Sequence, residues 1–429
     1  MRKILLATTA LIGSVVITTG AIAEKPQLSI SGRMTQGLQF QNDDAIAANT
    51  GSTVAGAAAG TAPTGTRLFE PGHNQGWTAG QTNFASELYF KAKSVTDDGM
   101  EYGANYDIRP LGGSVAIDEG YVYFSGERWG EIRIGQDDDA NIAMFLGAVN
   151  GQRGLGGLDG SDGLATGNGG TTFGAATGVY SAVSSGDNNK VGYYSPNLGG
   201  FKFGVSIAPS GASYQAATGV DVADNGTITA VGAENVTYRN IISGAAVFSH
   251  SFDQFSFAVE GAFTSASSED ANRVESVNNV VVPVQYEDAN TYKIGGSISV
   301  AGLTLGATYG DDGDAGTRKN SARDTTSANS NNVTEGGDWY ALGLGYDFGN
   351  GGISIGYFES ERDAGRRENK SVTDEGKFYV LAADTVIADG LTAFAEVYFS
   401  EVERGQYARK AGDLDTESTR VYIGTTVSF

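Results

Sequence analysis

The sequence predicts an all-β protein, a transmembrane antiparallel β-barrel of about sixteen strands. Three observations support this fold class. Apolar and polar residues alternate with a period of two along much of the chain, as in strands with one apolar and one wet face. Short turns alternate with long polar connections. Beyond the amino-terminal segment, no apolar run reaches the roughly 20 residues that a membrane-spanning helix needs.

The first 23 residues have the features of a cleaved secretory signal of the Sec type. Arg2 and Lys3 precede an apolar run over residues 4–20, and residues 21–23 form a small-x-small cleavage site. An amino-terminal membrane anchor is the alternative, and the threonines within the run argue against it. We therefore expect residues 24–429 to form a single barrel.

The period of two recurs in sixteen segments. In the carboxyl-terminal segment Val421, Ile423 and Val427 share one face, and Arg420 and Tyr422 share the other. The predicted strands are centred near residues 34, 89, 104, 121, 133, 193, 204, 244, 259, 294, 306, 343, 356, 381, 397 and 423.

The connections between these segments are of two kinds. Short turns, rich in residues that accept positive φ, lie at 125–130, 196–200, 301–302, 349–352 and 388–390. Long polar stretches lie near 43–82, 136–189, 210–236, 265–288, 310–336 and 360–375. Short turns at one end and long loops at the other are typical of bacterial outer-membrane barrels. A soluble β-sandwich or β-helix would have no reason to separate them.

Aromatic residues near the strand ends predict two girdles at the membrane interfaces. On the short-turn side we expect Phe255, Phe257, Tyr346, Phe348 and Phe429. On the long-loop side we expect Phe40, Phe84, Tyr309, Tyr340 and Phe378.

The composition excludes several classes of function. The chain has no Cys and two His, so it has no thiolate chemistry and little capacity for histidine catalysis, and we expect it not to be an enzyme. Its net charge of −22 argues against binding nucleic acid, which needs clustered Lys and Arg.

Three segments carry a family resemblance. Residues 190–204 form a strand, a Ser-Pro turn and a returning strand, and residues 117–126 with 129–136 form a second hairpin. Residues 421–429 form a closing strand that ends in an aromatic residue. In these segments the mature chain resembles the general, trimeric, sixteen-stranded porins of Gram-negative bacteria, and among them the alphaproteobacterial type.

The resemblance implies a bacterial outer-membrane homotrimer in contact with outer-membrane lipid and lipopolysaccharide. It implies that residues 136–189 are a third loop folded into the lumen, where they narrow the channel. It also implies that Phe429 is the signal read by the outer-membrane assembly machinery.

A barrel of sixteen strands encloses water, so ions and small hydrophilic solutes should diffuse through it passively. Selectivity should arise at the constriction, where acidic loop residues would oppose basic wall residues. The acidic candidates are Asp137, Asp138, Asp139, Asp159 and Asp162, and the basic candidates are Arg33, Lys91, Lys93, Arg133 and Lys202. The net charge favours a weak preference for cations.

Other interpretations stay open beside this one. The barrel could be a substrate-specific outer-membrane channel, or it could display a surface receptor or adhesin. No resident cofactor is expected. Asp311, Asp312 and Asp314 form a candidate calcium loop, but the sequence lacks the spaced Glu of an EF-hand loop, and a solvated acidic turn is the simpler interpretation.

Overall fold

The computed structural model describes residues 25–45, 78–111, 114–159, 183–216, 220–222, 228–230, 234–268, 274–277, 280–283, 286–317, 319, 336–367, 370–404 and 416–429. The predicted signal and Asp162 lie outside these residues, as do His73, one of the two histidines, and most of the first long connection.

Sixteen strands of the described chain form one closed barrel. They are β1 (Gln27–Ala45), β2 (Thr78–Val95), β3 (Glu101–Leu111), β4 (Ser114–Gly126), β5 (Gly130–Gln136), β6 (Asn189–Tyr194), β7 (Phe201–Ala216), β10 (Glu234–Ser251), β11 (Phe255–Ser268), β14 (Ala289–Val300), β15 (Leu303–Asp311), β16 (Asp338–Asp347), β17 (Gly351–Arg367), β18 (Lys370–Ala388), β19 (Leu391–Arg404) and β20 (Thr416–Ser428).

The remaining elements lie in the long connections. Two small hairpins pair β8 (Val220–Val222) with β9 (Ile228–Ala230) and β12 (Val274–Val277) with β13 (Val280–Pro283). Between β5 and β6 the chain forms a short helix, α1 (Ala140–Ala143), and two 3₁₀ turns, Gly147–Val149 and Gly157–Asp159. In the described part of the chain, no helix has both the length and the apolar character to cross a membrane.

Every strand pair in the barrel is antiparallel, and each of the sixteen predicted centres falls inside one of its strands. The barrel closes where β1 pairs with β20, from Arg33 opposite Ser428 to Ala45 opposite Thr416. At the end of this seam the backbone N–H of Gly32 donates to Phe429 O at 2.9 Å, and Phe429 N–H donates to Gly32 O at 3.0 Å. Closure removes the open sheet edges that lipid does not tolerate.

The two faces of the wall differ in chemistry. Large apolar side chains at alternate positions are exposed on the outside, for example Leu28, Ile294 and Leu381, each more than half exposed. The sequence neighbours of Leu28 and Ile294 point inward and are polar, charged or glycine, as the period of two predicts, whereas the neighbours of Leu381 belong to an inward apolar cluster. The outer face therefore provides the lipid-facing apolar band, and the inner face provides a polar lumen.

The hairpin of β17 and β18 corrects one predicted connection. The sequence predicts a long loop over residues 360–375, but the two strands continue through this segment and leave only residues 368–369 between them. Both faces of the extension are polar, so the apolar alternation that marks a strand within lipid is missing here. The two strands still satisfy each other's backbone groups, with Glu361 opposite Glu375 in the register.

An apolar cluster on the inner wall of β16–β20 corrects one predicted girdle residue. Phe378 points inward, 4% exposed, and its ring stacks on that of Phe358 at 5.0 Å between centroids. Trp339 and Phe394 belong to the same cluster, and Leu158 of the loop after β5 packs into it. Phe378 was misassigned because an isolated aromatic residue near a strand end does not reveal which face it occupies.

Replacing Phe378 with Ala should cost more stability than the same change on the outer face. Phe378 is buried, whereas Phe399 on β19 is 50% exposed. Truncation of a buried Phe typically costs about 3–5 kcal/mol because a cavity remains. Guanidinium unfolding of the protein in lipid vesicles should show this loss for Phe378→Ala and a clearly smaller one for Phe399→Ala. Equal losses would contradict the inward placement.

Candidate functional site

The segment from Asp137 to Asp159 leaves β5 and runs along the inner wall of the barrel. Its first contacts are with β7 and β10, and its last are with β18 and β19. The described part of this segment therefore follows roughly half of the barrel circumference on the lumen side. The opposite inner wall, formed by β1–β5, faces it.

Hydrogen bonds from loop backbone to wall side chains hold the first half of this segment. The N–H of Ala140 donates to Ser206 Oγ at 3.0 Å, and the N–H of Asn141 donates to Ser243 Oγ at 3.1 Å. Further along, the N–H of Ala148 donates to Thr308 Oγ1 at 2.9 Å. Each bond satisfies a backbone donor that would otherwise lie buried against the wall, where an unpaired donor costs about 1–3 kcal/mol.

Wall carboxylates anchor the segment more strongly. Glu260 accepts the N–H of Leu146 at 2.6 Å. Glu396, which is fully buried, accepts the N–H groups of Leu155 at 2.5 Å and Gly157 at 3.2 Å. Three loop N–H groups thus find their acceptors in two side chains of the wall, so Glu260 and Glu396 fix the path of the loop.

Arg153 adds an ion pair to this anchoring. Its Nη2 lies 2.7 Å from Asp384 Oδ1, and its Nη1 lies 3.4 Å from Asp347 Oδ2. The second oxygen of Asp384 accepts the N–H of Gly154 at 3.0 Å. Side chain and backbone of the loop thus bind the same wall carboxylate.

Glycines on the inner wall of β15 and β16 give the loop backbone its room. A Cβ at Gly306 would overlap Gly147 O, a Cβ at Gly343 would overlap Ala148 O, and a Cβ at Gly345 would overlap Gly151 O. Only residues without a side chain allow two backbones to approach this closely. The high glycine content of the chain, 63 residues, therefore serves loop packing here as well as turns.

The base of the loop is closed by Asp139 and Lys190. Both side chains are 1% exposed, with Lys190 Nζ 3.4 Å from Asp139 Oδ1. The Asp139 carboxylate also accepts the N–H of Ser185 at 2.6 Å and the hydroxyl of Ser184 at 3.0 Å. Lys190 Nζ donates to the carbonyls of Asp137 and Gly186. These bonds join the start of the loop to its end.

Asp137 is also held within the base. It is 2% exposed, and its Oδ2 lies 3.2 Å from Arg133 Nη1. The Arg133 guanidinium lies over the rings of Tyr121 and Tyr194, at 5.1 and 4.6 Å from their centroids, and its Nε donates to Glu131 at 2.5 Å. The structure thus brings Arg133 and Asp137 together as neighbours, not on opposed walls.

Asp138 differs from both neighbouring aspartates because its side chain is only partly buried and makes no ion pair among the described residues. Burial together with the nearby carboxylates of Asp187 and Asp137 raises the pKa of Asp138 to about 6. Its charge therefore changes in a range that ordinary aspartates do not reach. Of the three consecutive aspartates, it is the one available to the lumen.

The remaining predicted residues are distributed as follows. Arg33 binds Glu87 with Nε at 2.6 Å from Oε2, and Lys93 Nζ lies 2.5 Å from Glu101. Lys91 and Lys202 are exposed, without ion pairs among the described residues. Asp159 ends the second 3₁₀ turn. The wall of β1–β5 therefore carries mixed charge, with Arg33 and Lys93 paired to carboxylates of the same wall.

Sequence reasoning missed Glu260, Asp384, Glu396 and Arg153, the residues that anchor the loop. One feature of the sequence could have identified Glu260 and Glu396. Glu260 and Glu396 are inward acidic residues on strands whose other inward residues nearby are uncharged. A buried carboxylate needs several donors, and β19 itself supplies Glu396 with the hydroxyl of Tyr398, at 2.9 Å, so the other donors must come from outside the strand.

The calcium candidate remains a prediction. Asp311 Oδ1 accepts the N–H of Gly313 at 2.7 Å, and its Oδ2 accepts the hydroxyl of Tyr292 at 2.7 Å. Within the described ranges no group of three or more His, Cys, Asp or Glu side chains is arranged to hold a metal ion.

Comparison with known proteins agrees with this architecture. A family model described as Gram-negative porin matches residues 7–405. The anion-selective porin from Comamonas acidovorans is similar in structure, with 15% identity, coverage of 94% of this chain and 100% of that chain, and a TM-score of 0.55. OmpT of Vibrio cholerae gives 12% identity, coverage of 95% and 99%, and a TM-score of 0.55. No curated protein matches the chain in sequence.

A single methyl group at Gly343 should loosen the loop. In Gly343→Ala the new Cβ meets Ala148 O, whereas in Gly261→Ala on β11 nothing lies within 4 Å of the new Cβ. We expect faster amide hydrogen exchange of residues 146–153 in Gly343→Ala and unchanged exchange in Gly261→Ala. Equal exchange in the two variants would show that the close approach does not hold the loop.

Proposed function

The chain belongs to the Gram-negative porin family, and on that basis we propose that its lumen is a water-filled pore for passive diffusion of ions and small hydrophilic solutes, with a weak preference for cations. The family and the closed barrel indicate an outer-membrane channel. The finer proposals concern the constriction, the ion preference and the oligomer.

The observation that carries the proposal is the anchored course of residues 140–158 along the inner wall from β7 to β19. The loop held by Glu260, Asp384 and Glu396 occupies part of the lumen. These contacts do not involve the charged wall of β1–β5. The narrowest passage would then run between that wall and the loop. Residues 136–189 are proposed as the constriction loop.

Charge favours cations in this passage. Asp137 and Asp139 are compensated by Arg133 and Lys190, so Asp138 is the loop carboxylate proposed to act on passing ions. The net charge of −22 adds a potential that attracts cations to the mouths and is screened as salt rises. The porin from Comamonas acidovorans is anion-selective and has the same fold, so ion preference must follow from the charges of each chain.

Further proposals follow from family membership. We propose a homotrimer embedded in outer-membrane lipid and lipopolysaccharide, assembled through recognition of Phe429, with no resident cofactor and no catalytic step. A substrate-specific channel and a displayed receptor or adhesin are the alternatives that the first experiment separates.

Selectivity should depend on Asp138. In planar bilayers under a salt gradient, the purified protein should give large ohmic steps with a cation-selective reversal potential. Asp138→Asn should shift that potential toward zero because it removes an uncompensated loop charge. Asp389→Asn, in an exposed short turn, is the matched control and should leave the potential unchanged. A folded protein without conductance would favour the adhesin, and saturable conductance with one solute would favour a specific channel.

Cation preference should also fall between pH 7 and pH 5. Asp138 has a raised pKa of about 6, so its carboxylate is charged at pH 7 and mostly protonated at pH 5. The wild-type reversal potential should therefore move toward zero over this interval, and Asp138→Asn should remove the part of this movement that Asp138 supplies. A pH response of the same size in both proteins would place the titrating group elsewhere.

A further inference from the structure

Across the lumen from the anchored loop, the inner wall of β2–β4 carries carboxylates that exceed its cations. Cross-strand partners share a face, and the register places Tyr89 opposite Asp107 and Asp107 opposite Glu119. The residues of β19 that bond the loop face the lumen. Their cross-strand partners on β20, β1 and β2 share that face, so Tyr89, Asp107 and Glu119 also face the lumen.

Two of the carboxylates on this wall are compensated by arginines. Arg33 binds Glu87, and Arg109 Nη2 lies 2.6 Å from Asp118 Oδ2 while its Nε lies 3.5 Å from Glu87 Oε1. These contacts use both guanidinium groups. Asp107 and Glu119 make no ion pair among the described residues.

The uncompensated groups include buried oxygens without a donor. Asp107 is 7% exposed and Asn105 is 5% exposed, and Oδ1 of each has no hydrogen-bond partner among the residues that the structure describes. Lys91 lies opposite Asn105 in the register, yet its ammonium group makes no ion pair within the described chain. A buried acceptor without a donor costs about 1–3 kcal/mol, so these positions favour a ligand that brings N–H groups.

Within the described chain, Asp138 on the loop adds a further carboxylate without an ion pair to those on the wall. The charges that act on Glu119 include those of Asp138 and Asp137 at the loop base, together with Asp107 and Asp118. Glu119, which is only partly buried, therefore interacts electrostatically both with Asp107 on β3 and with Asp138 on the loop.

The geometry points to a binding station on this wall for the primary ammonium or guanidinium group of a small solute, formed by Asn105, Asp107 and Glu119. Such groups carry positive charge and several N–H donors, which match the two carboxylates without an ion pair and the two buried oxygens without a donor in the described chain. A divalent metal ion fits less well, because within the described residues no three carboxylates converge as metal ligands. The inference rests on the proposed pore and names the solute class that it would favour.

The test compares two cations that differ in their donors. Methylammonium donates three N–H groups, whereas tetramethylammonium donates none. The permeability of methylammonium relative to that of tetramethylammonium would be obtained from reversal potentials in single channels with one cation on each side. We expect the ratio to fall by at least about threefold in the double variant Asp107→Asn/Glu119→Gln, a change of the size that one partly solvated charged contact supplies.

A matched control and a second variant protect the comparison. Glu101→Gln alters a carboxylate of the same strand that is already paired with Lys93, and its ratio should equal that of the wild type. If the double variant fails to fold, the single variant Glu119→Gln, at a less buried position, should still lower the ratio. Equal loss of both cations, or an unchanged ratio, would overturn the ammonium station while leaving a conducting pore. Absence of conductance in the wild type would instead overturn the proposed function.

Discussion

The need to pair every backbone N–H and C=O group in a medium without water governs this structure. Within lipid it requires a sheet without edges, which the seam between β1 and β20 completes. The same requirement applies where the loop after β5 is buried against the inner wall, because the described part of this loop has little regular secondary structure of its own. Its backbone donors are satisfied by wall hydroxyls and carboxylates such as Thr308 and Glu396. The wall therefore acts as the structural partner of the loop.

This arrangement explains why many polar inner-wall residues are unavailable to solutes. Glu260, Asp384 and Glu396 carry charge on the lumen side, yet loop N–H groups and Arg153 occupy them. Carboxylates without such partners in the described chain include Asp138 on the loop and, on the facing wall, Asp107 and Glu119. Ion preference then depends on which charges remain uncompensated, more than on the total charge of the chain.

The sequence predicts the barrel well because the period of two is a local signal imposed by lipid on one face and water on the other. Where the two faces do not differ in this way, the sequence misleads. The polar extension of β17 and β18 is predicted as a loop, and the inward Phe378 is predicted as a girdle residue. The candidate site is less predictable because Asp137 and Asp139 depend on partners set by tertiary structure. Lys190 is distant from Asp139 in sequence but touches it in the fold.

The strands also differ greatly in length, which gives the barrel an uneven rim. The strands that flank the loop, β5 and β6, have 7 and 6 residues, whereas β17 and β18 have 17 and 19. At about 3.3 Å per residue the wall measured along the strands is roughly three times longer on the far side. All four strands reach the short turns at one end, so the difference lies at the long-loop end. The rim that the described strands form therefore slopes, and it is lowest beside β5 and β6, where the loop that contains Asp138 begins.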